Sequence, residues 1–60
     1  MDKLEYKIFN KTGAEGVTVT KLVKNGYSES SVKKAFLNLV DKGYMVKVKD
    51  GKEYRYFRVF

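Results

Sequence analysis

Apolar residues recur along this chain with two periods, and the change from one to the other falls near residue 44. Over residues 2–12, DKLEYKIFNKT, no glycine or proline interrupts a stripe at helical spacing that joins Leu4, Ile8 and Lys11, with Phe9 beside it. Asp2 and Glu5 suit the positive end of a helix dipole and Lys11 the negative end. Gly13 and Gly16 then bracket a loop, GAEG. Val17-Thr18-Val19-Thr20 alternates like a strand, yet Leu22 and Val23 follow at spacings that suit a short helix with both side chains inward. The sequence therefore predicts a brief extended conformation at Val17, an N-cap at Thr18 and a second helix to about Lys24. Asn25-Gly26 stops it.

After Tyr27, Ser28 is expected to cap a third helix and Glu29 to place favourable charge in its first turn. Val32, Ala35, Phe36, Leu39 and Val40 form its apolar face, and Gly43 ends it. Ser30, Lys34, Leu37, Asn38 and Asp41 fall on the opposite half, with Ser31, Lys33 and Lys42 at the flanks. From Tyr44 the period becomes two. Val46 and Val48 alternate with Lys47 and Lys49, Asp50-Gly51 signals a hairpin with Lys52 beside it, and Glu53 to Phe60 form the return strand. The alternation leaves two candidate inner faces. Phe57 and Val59 joining Val46 and Val48 is the preferred one, and the tyrosine-bearing face, with Tyr54 and Tyr56, can contribute as well.

Sixty residues with 43% hydrophobic and 15% aromatic content support one small ordered domain and exclude a disordered tail. There is no cysteine, so no disulfide or thiolate metal site adds stability, and oligomerisation is a stabiliser to consider. The chain holds no apolar run long enough to span a membrane, and MDKLEYKIFN lacks a signal-like apolar block; an intracellular, cytoplasmic location is expected, with a virus- or plasmid-encoded origin as a variant of it. The formal charge is +6. Residues 1–30 contribute only +1 of it and residues 31–60 contribute +5, so the positive field belongs to the carboxy-terminal half.

The succession GVTVTKLVKNGYSESSVKKAFLNLVDKGYMVKV, followed by DG and YRYFRVF, resembles the winged helix-turn-helix domains of small transcriptional regulators. The likeness covers nearly the whole chain and implies an α+β fold: a three-helix winged helix-turn-helix with a C-terminal β-hairpin wing. It also implies double-stranded DNA as partner, with the third helix in the major groove. Carried onto this sequence, Ser30, Ser31, Lys33, Lys34 and Asn38 would face DNA from that helix, Asn38 in position for a two-point contact with adenine. Lys47, Lys49, Lys52 and Arg55 would hold the backbone or minor groove from the wing. Lys7, Lys21 and Lys24 are lesser candidates. A recognition helix without arginine implies modest base reading, and Leu37 among its polar residues implies a thymine methyl or a protein contact.

Each assignment has a plain counterpart, since exposed lysines also serve solubility and tyrosines at strand spacing also serve packing. One monomer offers limited contact area, so specificity would require a homodimer, adjacent copies or a larger protein assembly; Leu37, Phe9 or Phe60 are the apolar side chains for such contacts. A winged-helix adaptor that binds protein is the alternative function. An RNA or unusual-duplex binder ranks below it: the winged helices that recognise left-handed duplexes carry a helix tyrosine and a wing proline, where this chain has Leu37 and no proline. With no His or Cys and with scattered carboxylates, neither enzymatic activity nor a cofactor or metal is expected.

Overall fold

The computed structural model describes residues 1–59. The elements run α1 (Lys3–Lys11), β1 (Val17–Thr18), α2 (Val19–Lys24), α3 (Glu29–Asp41), β2 (Met45–Asp50) and β3 (Glu53–Arg58). Three helices pack beside an antiparallel sheet of order β1-β3-β2, so the last strand in sequence lies in the middle. This is the architecture of a winged helix-turn-helix, with the β2–β3 hairpin as its wing. Expectations placed on Phe60 lie outside the described residues.

Local chemistry sets the helix ends. The Asp2 carboxylate accepts from Glu5 N at 2.9 Å, and the Thr18 hydroxyl accepts from Lys21 N at 3.2 Å, so each N-cap satisfies an amide that the helix leaves free. Ser28 occupies the N-cap position of α3 but makes no side-chain cap. Its hydroxyl instead lies 3.2 Å from that of Ser30, and Ser28 O accepts from Val32 N at 2.9 Å. The first-turn amides of α3 are thereby left without a side-chain partner from Ser28.

Ile8, Phe9, Val17, Leu22, Val32, Ala35, Phe36, Leu39 and Met45 form the core. Phe36 sits at its centre, with the Tyr56 ring stacked on it at 3.9 Å between centroids. Truncating Phe36 to Ala is expected to cost about 3–5 kcal/mol. A domain of this length is stable by only about 3–9 kcal/mol, so that variant should be largely unfolded by circular dichroism. Two apolar expectations fail. Val23 is exposed while Leu22 carries the α2 contact, and Phe9 is buried rather than available for assembly.

The hairpin also turns its other face inward. Met45 is buried next to the end of α3, where Tyr44 N donates to Leu39 O at 2.9 Å. That anchors the alternation, because every second residue after Met45 must share its face. Cross-strand pairs Met45–Arg58, Lys47–Tyr56 and Lys49–Tyr54 therefore form the inner side, and Val46–Phe57 and Val48–Arg55 the outer. Val46 is 47% and Val48 52% exposed, and Val59 is also exposed. One buried methionine at the strand entrance and the Phe36–Tyr56 stack outweigh two valines further along a strand that soon leaves the core.

Glycine is required at two turns. Gly16 has φ +76, and a Cβ there would lie 2.8 Å from a Phe57 ring carbon and 2.9 Å from Tyr56 O, so only glycine lets the loop into β1 lie against β3. Gly51 (φ +67) and Lys52 form the hairpin loop between the paired residues Asp50 and Glu53. A positive φ at the first central residue alone is the type II′ pattern, which matches the twist of a hairpin.

Candidate nucleic-acid interface

The inner face of the wing continues past the core and meets the start of α3 across an open groove of about 380 Å³. Val19, Thr20, Glu29, Lys33, Lys52, Glu53, Tyr54 and Tyr56 line it. Register accounts for the wing's contribution. The two-residue loop sets Lys49 opposite Tyr54 and Lys47 opposite Tyr56, so both lysines project on the tyrosine side. Lys47 Nζ stands 4.7 Å and Lys49 Nζ 5.1 Å from the centroid of the Tyr54 ring, within cation–π range. One ring thus holds two ammonium groups together in spite of their repulsion.

Across the groove Lys33 pairs with Glu29 at 2.9 Å, an exposed i,i+4 bridge worth only about 0.3–0.5 kcal/mol. Thr20 Oγ1 donates to Glu53 Oε1 at 2.9 Å, tying α2 to the wing beside its hairpin loop. The Tyr56 phenol is pushed above its ordinary range by burial and by Tyr54, with Lys33 acting in the opposite sense. It stays neutral at physiological pH and adds no negative charge to this side of the groove.

A second group of polar residues faces a different way. Ser31, Lys34 and Asn38 line a small cleft with Asp2, Leu4, Glu5 and Ala35, at the seam between α1 and α3. The Glu5 side chain is buried, the residue being 2% exposed. Asn38 Nδ2 donates to Glu5 Oε2 at 3.1 Å. A carboxylate only accepts, so the amide nitrogen of Asn38 must face it. Glu5 Oε1 receives no hydrogen bond, and Lys42 Nζ at 3.7 Å is its nearest cation, close enough for Coulomb attraction alone. Asn38 is half-buried and donates to α1, whereas the winged-helix resemblance implies a contact with adenine.

Arg55 is also directed elsewhere. Its pairing with Val48 puts it on the outer face of the wing, where Nε donates to Asp50 Oδ2 at 2.9 Å and Nη1 to Glu15 O at 3.3 Å. The candidate positions therefore divide. Lys33 and Lys52 line the groove, Lys47 and Lys49 stand over Tyr54 on the same face of the wing, and Ser30 lies beside Lys33 at the start of α3. Lys34 is exposed on the outer side of α3 towards the seam with Ser31 and Asn38, and Arg55 lies behind the wing. Sequence reasoning did not single out Thr20 or Glu53, and it read Tyr54 mainly as packing. Pairing the strands from a Gly51-Lys52 loop would have put Tyr54 opposite Lys49.

Lys34, Lys47, Lys49 and Lys52 make no ion pair among the described residues. No group of three or more His, Cys, Asp or Glu among those residues is arranged to hold a metal ion, and no helix among them is long and apolar enough to cross a membrane. No protein-family model matches the chain, and neither does any curated protein or solved structure.

Proposed function

We propose that this protein binds double-stranded DNA, with α3 entering the major groove and the inner face of the wing lying along the adjacent backbone or minor groove. The observation that carries the reading is the pairing of Lys47 and Lys49 over Tyr54, on the side of the wing that shares a groove with Lys33 and Lys52. Four cations from two elements then face one polyanion, and the uncapped first turn of α3 offers amides to a phosphate between them. The longest extent of the molecule, 25 Å, corresponds to about seven base pairs at roughly 3.4 Å each. Regulation of transcription is the role this mode of engagement suggests.

The test is fluorescence anisotropy with random duplex DNA, single-stranded DNA and duplex RNA over a salt series. Duplex DNA should be preferred, and changing Lys33, Lys34, Lys47 and Lys49 together to Ala should abolish binding at moderate salt. Failure to bind duplex DNA at low salt, or binding indifferent to all four changes, would overturn the reading.

A second reading, a protein contact made by the same fold, is favoured by the exposed Val46, Val48 and Val59 on the back of the wing. A second copy of the chain is the occupant that fits. Each molecule carries +6, and on this face the Arg55 charge is paired with Asp50 at 2.9 Å, which lessens the repulsion between two such molecules. Sedimentation equilibrium at about 10–100 micromolar protein, where a dissociation constant in the micromolar range populates the dimer, should then give a dimer that Val48→Lys dissociates.

A further inference from the structure

Resting on the DNA-binding reading, we infer that the binding is independent of sequence: the ligand is duplex DNA as a charged, grooved surface, and base identity is scarcely read. Discrimination among bases needs hydrogen-bonding groups that reach the base edges with fixed geometry, above all bidentate Arg, Asn or Gln. The outer side of α3 lacks them. It has no arginine or glutamine, and its one amide, Asn38, is half-buried and donates to the buried Glu5 carboxylate. Releasing Asn38 to a base would strip the buried Glu5 carboxylate of the hydrogen bond it accepts at Oε2. Lys33 is held by Glu29 at 2.9 Å.

The centre of the outer face is occupied by Leu37, the most exposed large apolar residue in the described chain at 69%. A leucine there can touch a thymine methyl or displace water, but it cannot report a donor–acceptor pattern. Of the two arginines of the wing that could form a fork with guanine, Arg55 lies on the back of the hairpin with its guanidinium engaged by Asp50 and the Glu15 carbonyl, and Arg58 lies with its guanidinium over the Phe9 ring, 4.2 Å from the centroid. The lysines of α3 and the wing that make no ion pair among the described residues, Lys34, Lys47, Lys49 and Lys52, are flexible point charges suited to phosphates. Affinity and base reading are thus separated in this molecule: the wing and the rim of α3 supply the first, while the groups that would supply the second maintain the fold. Any effect on transcription would follow from occupancy of the duplex.

The experiment is selection from a pool of randomised duplexes, followed by dissociation constants for several unrelated duplexes of equal length across a salt series. No enriched motif is expected, and the constants should agree within about ten-fold, against the thousand-fold or more that separates specific from non-specific sites of sequence readers. Four phosphate contacts would give a slope of log K on log salt of about −3 to −4. A motif enriched beyond that spread overturns the inference while leaving DNA binding intact, most directly if Leu37→Ala, an exposed change that spares the fold, erases it. Absence of binding to every duplex at low salt overturns both.

Discussion

The groove beside the wing and the seam between α1 and α3 contain the same kinds of side chain, lysine, carboxylate, serine and amide, used in opposite ways. In the seam the polar groups engage one another: Asn38 donates to Glu5 Oε2, Lys42 attracts the same carboxylate from 3.7 Å, and Asp2 caps the helix that carries it. In the groove the cations rest on an aromatic ring or on a weak exposed bridge and keep most of their charge for solvent. The lesson is that helical-wheel position alone does not tell a reading residue from a holding one. Lys33 and Asn38 both looked outward from α3; what lies beside each decides its role. Changes in the seam should cost stability and spare DNA binding, and changes in the groove should do the reverse.

Between seam and groove, the largest effect is expected from Asn38→Ala. It removes the Asn38 hydrogen bond to the buried Glu5 carboxylate, and leaving such a group unpaired costs about 1–3 kcal/mol or more. In a domain of this size each kcal/mol lowers Tm by about 4–8 °C. Thermal denaturation followed by circular dichroism should show that loss, while the affinity for duplex DNA, measured well below the new Tm, stays as it was. A stable variant with weakened binding would move Asn38 from the seam to the interface.

Tyr54→Leu comes next, from the other side of the comparison. Leucine keeps an apolar group on the strand but removes the ring face over which Lys47 and Lys49 lie. Exposed cation–π contacts are worth about 0.5–1 kcal/mol, so duplex affinity should fall roughly two- to five-fold with little change in Tm. The same loss for single strands but none for duplexes would instead identify Tyr54 as a base-stacking platform.

The order of elements was legible in the sequence because each depends on local signals. The Thr18 cap, the end of α2 at Lys24 before Asn25-Gly26, and the apolar face of α3 all stand where spacing and capping chemistry put them. The inner face of the hairpin was not legible, since period-two alternation is symmetric and a single buried residue, Met45, breaks the tie through its position after α3. Contacts between distant residues were likewise hidden. Asn38–Glu5 and Thr20–Glu53 each join positions 33 apart in sequence, and a buried glutamate on an otherwise charged helix leaves no mark in the hydrophobic pattern. The lysines of the wing could be counted, but their convergence over one ring depends on the register of a two-residue loop.

Glu29→Gln sharpens the comparison within the groove itself. It deletes the i,i+4 bridge, which costs about 0.3–0.5 kcal/mol of helix stability, and it frees Lys33 for the ligand. Affinity for duplex DNA should rise, and the salt dependence should steepen by up to about 0.9 in log–log slope, the equivalent of one added phosphate contact. An unchanged slope would mean that Lys33 does not approach a phosphate.

The smallest effect belongs to Asp2, at the head of α1. The hydrogen bond from Glu5 N holds its carboxyl below the ordinary value of 3.8. A carboxyl depressed in the folded state contributes stability that is fully present above its unfolded value and is lost as pH falls through the folded one. The contribution of this cap should therefore be constant at neutral pH and fade below about pH 3.8. Asn caps a helix as well as Asp does but does not titrate. Asp2→Asn should accordingly flatten the acid limb of a Tm-against-pH curve slightly while leaving duplex binding at neutral pH unchanged, because the carboxylate belongs to the seam. An acid limb identical to that of the parent would assign the acid sensitivity to other carboxylates, and a change in DNA affinity would break the division between seam and groove at its weakest point.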